Sequence, residues 1–286
     1  MTATAEQEEA VRTHVHGMWA AVADRWAEHA ASVEGRVAAI TAAMLGGVGL
    51  RPGETVLELA CGPGGLGLQA AEQVPGGEVT LSDVVPGMVA IAAARAVAEG
   101  RANVSTAVLD LEQIDRPDGA YDVVLCREGL MFAVDPERAG REVHRVLRPG
   151  GRAAISVWGT PEENPWLGVV LAAVSEQIGR PMPPPGMPGP FSLGDPGRLE
   201  GIMTAAGFTD VRVTEVTAPL RAPSFEAWWQ RTASVAGPIA GIVAAMPPAA
   251  LEELTGRLRQ AVAGFLTPDG VELPGLARVV TARRAG

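Results

Sequence analysis

The chain has 286 residues and a formal net charge of −10, and its pI is about 5.0. This acidity disfavours a nucleic-acid partner, because phosphates require a basic surface. All 23 lysine-or-arginine positions are arginine, which excludes Schiff-base catalysis and a Walker lysine. The length suits one α/β domain that carries an additional segment.

The cysteines and the apolar runs indicate the cellular setting. Two cysteines, Cys61 and Cys126, cannot form a disulfide framework, so we expect a cytoplasmic protein. The acidic start of the chain lacks the apolar core of a signal peptide. The most apolar later stretch, 235–246, is short and broken by Pro238, and it predicts no membrane span. Cysteines and histidines without regular spacing predict no metal site.

In chain order, residues 5–47 are predicted to form two helices. Apolar residues recur at three-to-four spacing and give the first helix one apolar face: Val11, Val15, Met18, Trp19, Val22 and Trp26. Such a face packs against the core of a domain, and it can also cover a ligand site.

A glycine-rich turn follows the first predicted strand, 54–60, and precedes a predicted helix at 65–74. Glycine lacks a Cβ, so backbone at Gly62, Gly64 and Gly67 can approach a ligand closely. The helix that follows presents free N–H groups at its start. This glycine spacing alone also fits the dinucleotide fingerprint, so a nicotinamide dehydrogenase is one alternative.

Three acidic residues lie at the ends of predicted strands. Glu58 is in the first strand, Asp83 ends the strand 78–83, and Asp110 follows the strand 103–109. Because the carboxyl ends of parallel strands meet at one edge of a sheet, we expect these acids around one crevice. An acidic rim suits a cationic ribonucleoside better than a pyrophosphate. It points to S-adenosylmethionine (SAM).

The rest of the chain continues the alternation of strands and helices, which predicts a parallel sheet with helices on both faces. The further predicted elements are helix 87–99, strand 121–126, helix 136–147, strand 151–158, helices 165–178 and 196–206, and strand 209–216. The proline-rich segment 181–190 is predicted to be an ordered loop. Helices fill 224–266 as a cap, and a last strand covers 276–283.

In this order the motifs resemble those of the class I SAM-dependent methyltransferases, in the branch that methylates quinone precursors and bacterial small molecules. The matching segments are 58–64 (first motif), 81–88 (ribose motif), 109–112 (adenine motif), 121–126 (fourth strand) and 145–151 (turn before strand five). The sequence after strand four, 126–129, departs from the quinone methyltransferases and indicates a different acceptor. Residues 159–286 match only in general layout.

The resemblance implies a Rossmann-like seven-stranded α/β sheet with helices on both faces, N-terminal helices, and a helical cap between strands six and seven. The implied segments are an N-terminal cover at 1–50, a SAM-binding core at 51–223, a cap at 224–270 and a final core strand at 271–286. The implied activity is O- or C-methylation of a small, largely apolar metabolite, either a secondary metabolite or a quinone-type precursor, with S-adenosylhomocysteine as product. A protein that binds SAM without methyl transfer is the alternative.

The resemblance also assigns residues to the cofactor. The candidates are Glu58, Ala60, Gly62, Gly64, Asp83, Met88, Asp110, Leu111, Cys126 and Arg127. Among them, Asp83 is expected to hold the ribose hydroxyls and Met88 to pack on adenine. Arg127, with Glu128 beside it, contacts either the methionine part of the cofactor or the acceptor, or the two residues form a surface pair.

The acceptor pocket is expected between the N-terminal helix and the cap. Trp19, Trp228 and Met246 are the candidates for its apolar wall, although core packing explains them equally well. His14 or His16 is the candidate base, and being two apart on a helix they face different directions. A small-molecule acceptor is the one partner expected, and a homodimer is one open oligomeric state.

Overall fold

A seven-stranded sheet forms the centre of the computed structural model, which describes residues 5–286 apart from the side chains of Ala5 and Pro238. Its strands in spatial order are β3 (Val104–Val108), β2 (Glu78–Asp83), β1 (Thr55–Leu59), β4 (Tyr121–Arg127), β5 (Leu147–Trp158), β10 (Leu276–Arg284) and β6 (Phe208–Thr217). The strands β1 to β5 run parallel, and β10 is antiparallel to its neighbours β5 and β6. The predicted Rossmann-like sheet is therefore confirmed.

Helices lie on both faces of this sheet and bury the apolar runs of β1 and β4, which are covered on both sides. They are α1 (Ala5–Ala20), α2 (Ala23–Val48), α3 (Gly65–Gln73), α4 (Pro86–Ala98), α5 (Pro136–Val146), α6 (Pro165–Ile178) and α7 (Pro196–Ala205). Four of these helices begin with proline, which has the φ angle of a helix and lacks the N–H that a first turn leaves unpaired. Among the described residues, none of the helices is long and apolar enough to cross a bilayer.

The insertion between β6 and β10 forms a cap with its own apolar core. Its elements are β7 (Leu220–Ala222), α8 (Phe225–Val235), α9 (Gly237–Ala244), α10 (Pro248–Ala261), β8 (Leu266–Thr267) and β9 (Gly270–Leu273). The three strands pair as a small antiparallel sheet, which the sequence analysis did not predict. They are too short to show the alternation of apolar and polar residues that identifies a strand.

A buried arginine, Arg152, and a largely buried one, Arg127, connect α2 to the sheet. At the amino end of β1, Arg152 donates from Nη2 to both carboxylate oxygens of Glu54, at 2.9 and 2.7 Å, and from Nε to the Val48 carbonyl at 2.6 Å. At the carboxyl end of β4, Arg127 binds Glu34. The helix α2 is thus fixed at both ends of the central strands, and its N-terminal half lies over their carboxyl ends.

Candidate functional site

The turn that follows β1 places its main chain beside an open cavity. Ala60, Gly62 and Gly64 have φ angles of 50°, 51° and 84°, in the left-handed region. The N–H of Gly67 donates to Glu58 Oε2 at 2.9 Å. A Cβ at Gly67 would collide with Leu81 and with that carboxylate. Glycine is therefore required at position 67 by packing.

A cavity of about 1030 Å³, part of it open to solvent, lies against this turn at the carboxyl ends of β1, β2 and β4. We call it the turn cavity. The helices α1 and α2 cover it with aromatic and aliphatic side chains, among them Trp19 and Trp26. Its acidic lining residues are Glu34, Glu58, Asp83, Asp110 and Glu128. The cavity therefore presents more negative than positive charge, with Arg127 as the balancing cation.

Asp83 is anchored by the backbone on either side of it. Its Oδ2 accepts from the Gly62 N–H at 2.9 Å, and its Oδ1 accepts from the Val85 N–H at 2.9 Å. Burial raises the pKa of the Asp83 carboxyl, although these N–H groups and His16 oppose the shift. Each carboxylate oxygen keeps a free lone pair, so the side chain can accept further hydrogen bonds from a ligand.

Glu58 is the most deeply buried acid of the turn cavity, with 1% of its surface exposed. Burial raises the pKa of its carboxyl to about 8. The charge of Arg127 opposes this shift, while Glu34 and Asp83 add to it. A cationic ligand would favour the ionised form of Glu58, which then carries a negative charge beside the turn.

Arg127 forms a buried, two-pronged pair with Glu34. Its Nη1 and Nη2 donate to the two carboxylate oxygens at 2.9 and 2.7 Å, and Nη1 also donates to Thr41 Oγ1 at 2.6 Å. The carboxylate of Glu34 occupies the place that a Cβ on Gly65 would take. Glu34 is thereby held on the glycine turn, and Arg127 is paired with α2 rather than with its neighbour Glu128.

Arg12 fastens α1 over one side of the turn cavity. It donates from Nη2 to Glu112 Oε2 at 2.8 Å, and its Nε lies 3.5 Å from Asp110 Oδ2. The second oxygen of Glu112 accepts from the Val134 N–H at 2.6 Å. The contact joins the N-terminal helix to the segment after β3, so α1 covers the cavity above Asp110.

A second cavity of about 1210 Å³, which we call the cap cavity, adjoins the first. It lies between α2, the start of α6 and the helix α8 of the cap. Its walls include Trp158, Trp166 and the arginines Arg36 and Arg231. Five residues line both cavities: Trp19, Trp26, Val33, Glu128 and Phe132. The two spaces therefore meet along a common wall of mainly aromatic side chains.

Comparison with known proteins identifies the family. Residues 56–151 match the protein family described as a methyltransferase domain. Over 187 residues, the chain is 32% identical to the nocamycin O-methyltransferase of Saccharothrix syringae, a match that covers 62% of this chain and 67% of that protein. The chain belongs to the class I SAM-dependent methyltransferases. It is a methyltransferase whose cofactor is SAM, and the nicotinamide alternative is not supported.

Further relatives agree with this family. The chain is 38% identical over 129 residues to the UbiE C-methyltransferase of Ectopseudomonas mendocina, which covers 44% of this chain and 50% of that protein. The matched part thus spans only half of that relative. The crystal structure of YcgJ from Bacillus subtilis aligns with a TM-score of 0.59 at 20% identity, over 84% of this chain and 95% of that one. This likeness shows the shared fold.

Most of the cofactor candidates lie at the turn cavity of the methyltransferase. Those that line it are Glu58, Ala60, Gly62, Asp83, Met88, Asp110, Leu111 and Arg127. Gly64 does not, because it faces Leu81 and Ala92 beneath the turn. Cys126 is buried behind the turn cavity beside Gly129, and burial raises the pKa of its thiol to about 12.

The acceptor-pocket candidates lie in two places. Trp19 is on the common wall of the two cavities. Trp228 is fully buried in the core of the cap, where its Nε1 donates to the Trp166 carbonyl at 3.2 Å. Met246 packs at the edge of the same core. Neither Trp228 nor Met246 lines the cap cavity, because both side chains fill the interior of the cap.

The two histidine candidates also differ in position. His16 lines the turn cavity, where its charge acts on Asp83. His14 is exposed on the other side of α1 and lines neither cavity. The opposite directions of the two residues follow from their spacing on a helix.

Several lining residues were not among the candidates, chiefly Trp26, Glu34, Arg36 and Phe132. Trp26 is part of the apolar face that the spacing predicts for the first helix, but α1 ends at Ala20 and α2 begins at Ala23, so Trp19 and Trp26 lie on different helices. Glu34 and Arg36 belong to no motif. Their position depends on how α2 crosses the sheet, which only the folded structure shows.

Proposed function

We propose that this methyltransferase holds SAM in the turn cavity and methylates a small, largely apolar acceptor in the cap cavity. The observation that carries the proposal is the common wall of the two cavities, because methyl transfer requires donor and acceptor in contact. When bound, SAM supplies an electrophilic methyl group: the bond from the acceptor atom to carbon forms as the carbon–sulfur bond breaks, and the electron pair stays on sulfur.

The residues of the turn cavity fit a cationic nucleoside. We assign the ribose hydroxyls to Asp83, whose anchored carboxylate keeps free lone pairs. Met88 packs on the adenine ring, while Asp110 and Leu111 contact its edge. These residues follow β2 and β3 at one rim of the cavity, which supports a single binding direction.

The opposite rim suits the methionine end of the cofactor. Ala60 and Gly62 present backbone without bulky side chains, and Glu34 and Glu58 present carboxylates. A ligand with a sulfonium and an ammonium group is stabilised by such acids in a cavity of low dielectric. Arg127 fixes the orientation of Glu34. Its positive charge also reduces the repulsion between the carboxylates of Glu34 and Glu58.

The cap cavity supports a flat acceptor. Trp19, Trp26, Phe132, Trp158 and Trp166 supply aromatic surface on several sides. Such walls exclude water and orient a ring system against the common wall. A secondary metabolite or a quinone-type compound fits this description, and the names of the nocamycin and UbiE relatives support the same range.

The proposal includes the organisation and the setting of the protein. The helices α1 and α2 cover the cofactor, and the SAM-binding core extends from β1 to β6. The cap begins at β7 and ends at β9, so it is wider at both ends than the predicted 224–270, and β10 completes the sheet. The charge of −10 supports action on a small molecule without a nucleic-acid partner. The free, buried cysteines support a cytoplasmic enzyme.

Two measurements test the proposal. A thermal-shift series with SAM, S-adenosylhomocysteine and NAD⁺ should show stabilisation by the first two alone. Incubation with methyl-labelled SAM and an extract of the host should then yield one labelled small molecule, identified by mass spectrometry. The same extract with heat-inactivated protein is the control. Failure of SAM to bind, or label appearing only in macromolecules, contradicts the proposal.

A further inference from the structure

The cap cavity contains a half-buried arginine, Arg36, that is held in place without an ion pair or hydrogen bond to a carboxylate. The guanidinium of Arg36 lies over two indole rings, 3.8 Å from the centre of Trp166 and 4.6 Å from that of Trp158. Its Nε reaches the Ala218 carbonyl at 3.4 Å. Its Nη2 is buried and has no hydrogen-bond partner. One face of this cation is thus fixed by stacking, and one donor is left unused.

Arg231 adds a second positive charge to the same cavity. It donates from Nη1 to Ser32 Oγ at 2.7 Å and from Nη2 to the Arg221 carbonyl at 3.3 Å. Within the part of the chain that the structure describes, neither Arg36 nor Arg231 forms an ion pair. Arg221, which also lines the cavity, differs because its exposed guanidinium pairs with Glu272 at 2.6 Å.

Two cations without an ion-pair partner thus lie in one largely apolar cavity. Among the described residues that line it, Glu128 is the one acid, and its charge acts on Arg36 without forming an ion pair. A buried donor without a partner is costly, and a buried charge without a counter-ion more so. A neutral acceptor without a hydrogen-bond acceptor group would leave the Nη2 donor of Arg36 unpaired. An anionic group would satisfy the free donor and the charge together.

We propose that the acceptor is an organic anion: its acid group binds Arg36 with the support of Arg231, and a separate hydroxyl of the same molecule faces Glu128 and is methylated. This inference rests on the proposed function and names the substrate class of that site. The aromatic stacking of Arg36 holds the guanidinium plane before the ligand arrives, so little ordering is required on binding.

Glu128 lies on the common wall of the two cavities. Its backbone has a φ of 58°, and its N–H is held by the carbonyl and the hydroxyl of Ser156 at 2.9 and 3.1 Å. Its Oε1 is buried without a partner. An unfavourable backbone angle held in this way at a cavity wall is typical of a functional position.

The proposed step balances with Glu128 as the proton acceptor. The hydroxyl oxygen of the acceptor gains the methyl group and loses its proton to the Glu128 carboxylate, which returns it to solvent. The acid group at Arg36 takes no part in the bond changes. The methylated product therefore keeps its negative charge, which separates this proposal from methylation of the acid group itself.

Binding of a matched pair of probes tests the proposal without a known substrate. Calorimetry on the protein saturated with S-adenosylhomocysteine compares 1-naphthoate with its neutral amide, 1-naphthamide. We expect naphthoate to bind about ten- to a hundredfold more tightly, as a charge-assisted hydrogen bond provides. Arg36→Met should remove this preference, and Arg36→Lys should restore part of it. Arg25→Met is the matched control, because Arg25 lies on the same helix, pairs with the exposed Glu28 and lines neither cavity; it should keep the preference.

Three results would overturn the inference: equal affinities for the two probes, no binding of either, or a preference that survives Arg36→Met. The affinity for S-adenosylhomocysteine, measured in the same samples, shows that each variant is folded. Loss of that affinity in the wild-type protein counts against the proposed function instead. A labelled product from the host extract should also bind an anion exchanger at neutral pH, and a neutral product refutes the inference alone.

Discussion

The turn cavity and the cap cavity adjoin one another but carry opposite charge. The first is lined by Glu34, Glu58, Asp83 and Asp110, and the second by Arg36 and Arg231. Under the proposed function, this difference explains how one small domain can distinguish two ligands that must touch. A cation is favoured on one side of the common wall and an anion on the other, so each ligand is disfavoured in the cavity of its partner.

The cavities also differ in how the chain builds them. Strand ends and one glycine turn supply most of the turn cavity, so its geometry follows from the sheet. The cap cavity combines residues of α2, β5, α6 and α8, which are far apart in sequence. The first is thus fixed by the topology of the fold, and the second by the packing of one particular insertion.

The largest effect is expected at the common wall. Glu128→Gln should lower kcat for the labelled acceptor by about a hundredfold, the usual contribution of a general base. Burial raises the pKa of Glu128 to about 7, opposed by Arg127 and Arg36, with Glu34 adding to the shift. Since the ionised form is the base, wild-type kcat should rise with pH through about 7.

The measurement is the rate of S-adenosylhomocysteine formation between pH 5.5 and 9, with the exposed Glu162→Gln as the control. The control should keep the rise, and Glu128→Gln should have a flat profile. An unchanged profile in Glu128→Gln would place the proton acceptor elsewhere.

The next effect is a loss of SAM affinity that is expected for an acid of the turn cavity and not for an acid on the surface. Asp83→Ala should weaken SAM binding by about ten- to a hundredfold, because charge-assisted hydrogen bonds to the ribose are lost. The variant also leaves the N–H groups of Gly62 and Val85 without their carboxylate. Calorimetry measures the affinity, and Asp115→Ala, an exposed acid, should bind as the wild type does. Equal affinities for both variants would move the ribose away from β2.

A smaller effect concerns the ionisation of Glu58 when SAM binds. Because the pKa of Glu58 is about 8, its carboxyl is mostly protonated at pH 7, and a cationic ligand that ionises it releases a proton. The affinity for SAM should therefore rise by up to about tenfold per pH unit towards pH 8 and level off above it. Without ligand, the same group stabilises the fold fully below its unfolded pKa, and this contribution is lost as the pH rises through about 8.

Calorimetry in buffers of different ionisation enthalpy counts the released proton. Glu58→Gln should bind SAM with little dependence on pH in this range, whereas Glu128→Gln should keep that dependence. A wild-type affinity that does not change between pH 6 and 8 would exclude this role for Glu58.

The smallest effects are expected at the two histidines, and they test which residues of α1 lie inside the turn cavity. His14→Ala should keep SAM affinity and turnover within about twofold, as exposed substitutions usually do. His16→Ala should weaken SAM binding only severalfold, because His16 acts on Asp83 through its charge. A large loss of turnover in His14→Ala would contradict the position of this residue outside both cavities.

Sequence reasoning reached the sheet and the acids at its edge because chain order determines both. Glu58, Asp83 and Asp110 end or follow strands, and parallel strands bring such ends together. The same reasoning could not separate Trp19, on the common wall, from Trp228, in the core of the cap. Both lie on the apolar face of a helix, and periodicity identifies the face without showing whether it meets a core or a cavity.

The unpaired cations illustrate a second limit. Arg36 is one of 23 arginines, and no spacing marks it. Its importance comes from two tryptophans of β5 and α6 that stack on it and from the lack, among the described residues, of a carboxylate within ion-pair distance. Such a site is defined by three-dimensional packing. The local pattern of α2 contains no trace of it.

The contact of Arg12 with Asp110 and Glu112 bears on the timing of the catalytic cycle. Every turnover must exchange the product of the cofactor for fresh SAM, and α1 lies over the cavity to which we assign the cofactor. Exit above Asp110 requires this ionic contact to separate and its groups to be hydrated. The residence time of the nucleoside then depends on a charge pair, which dissolved salt weakens. On the proposed placement of SAM, we therefore expect the release of S-adenosylhomocysteine to become faster as the ionic strength rises.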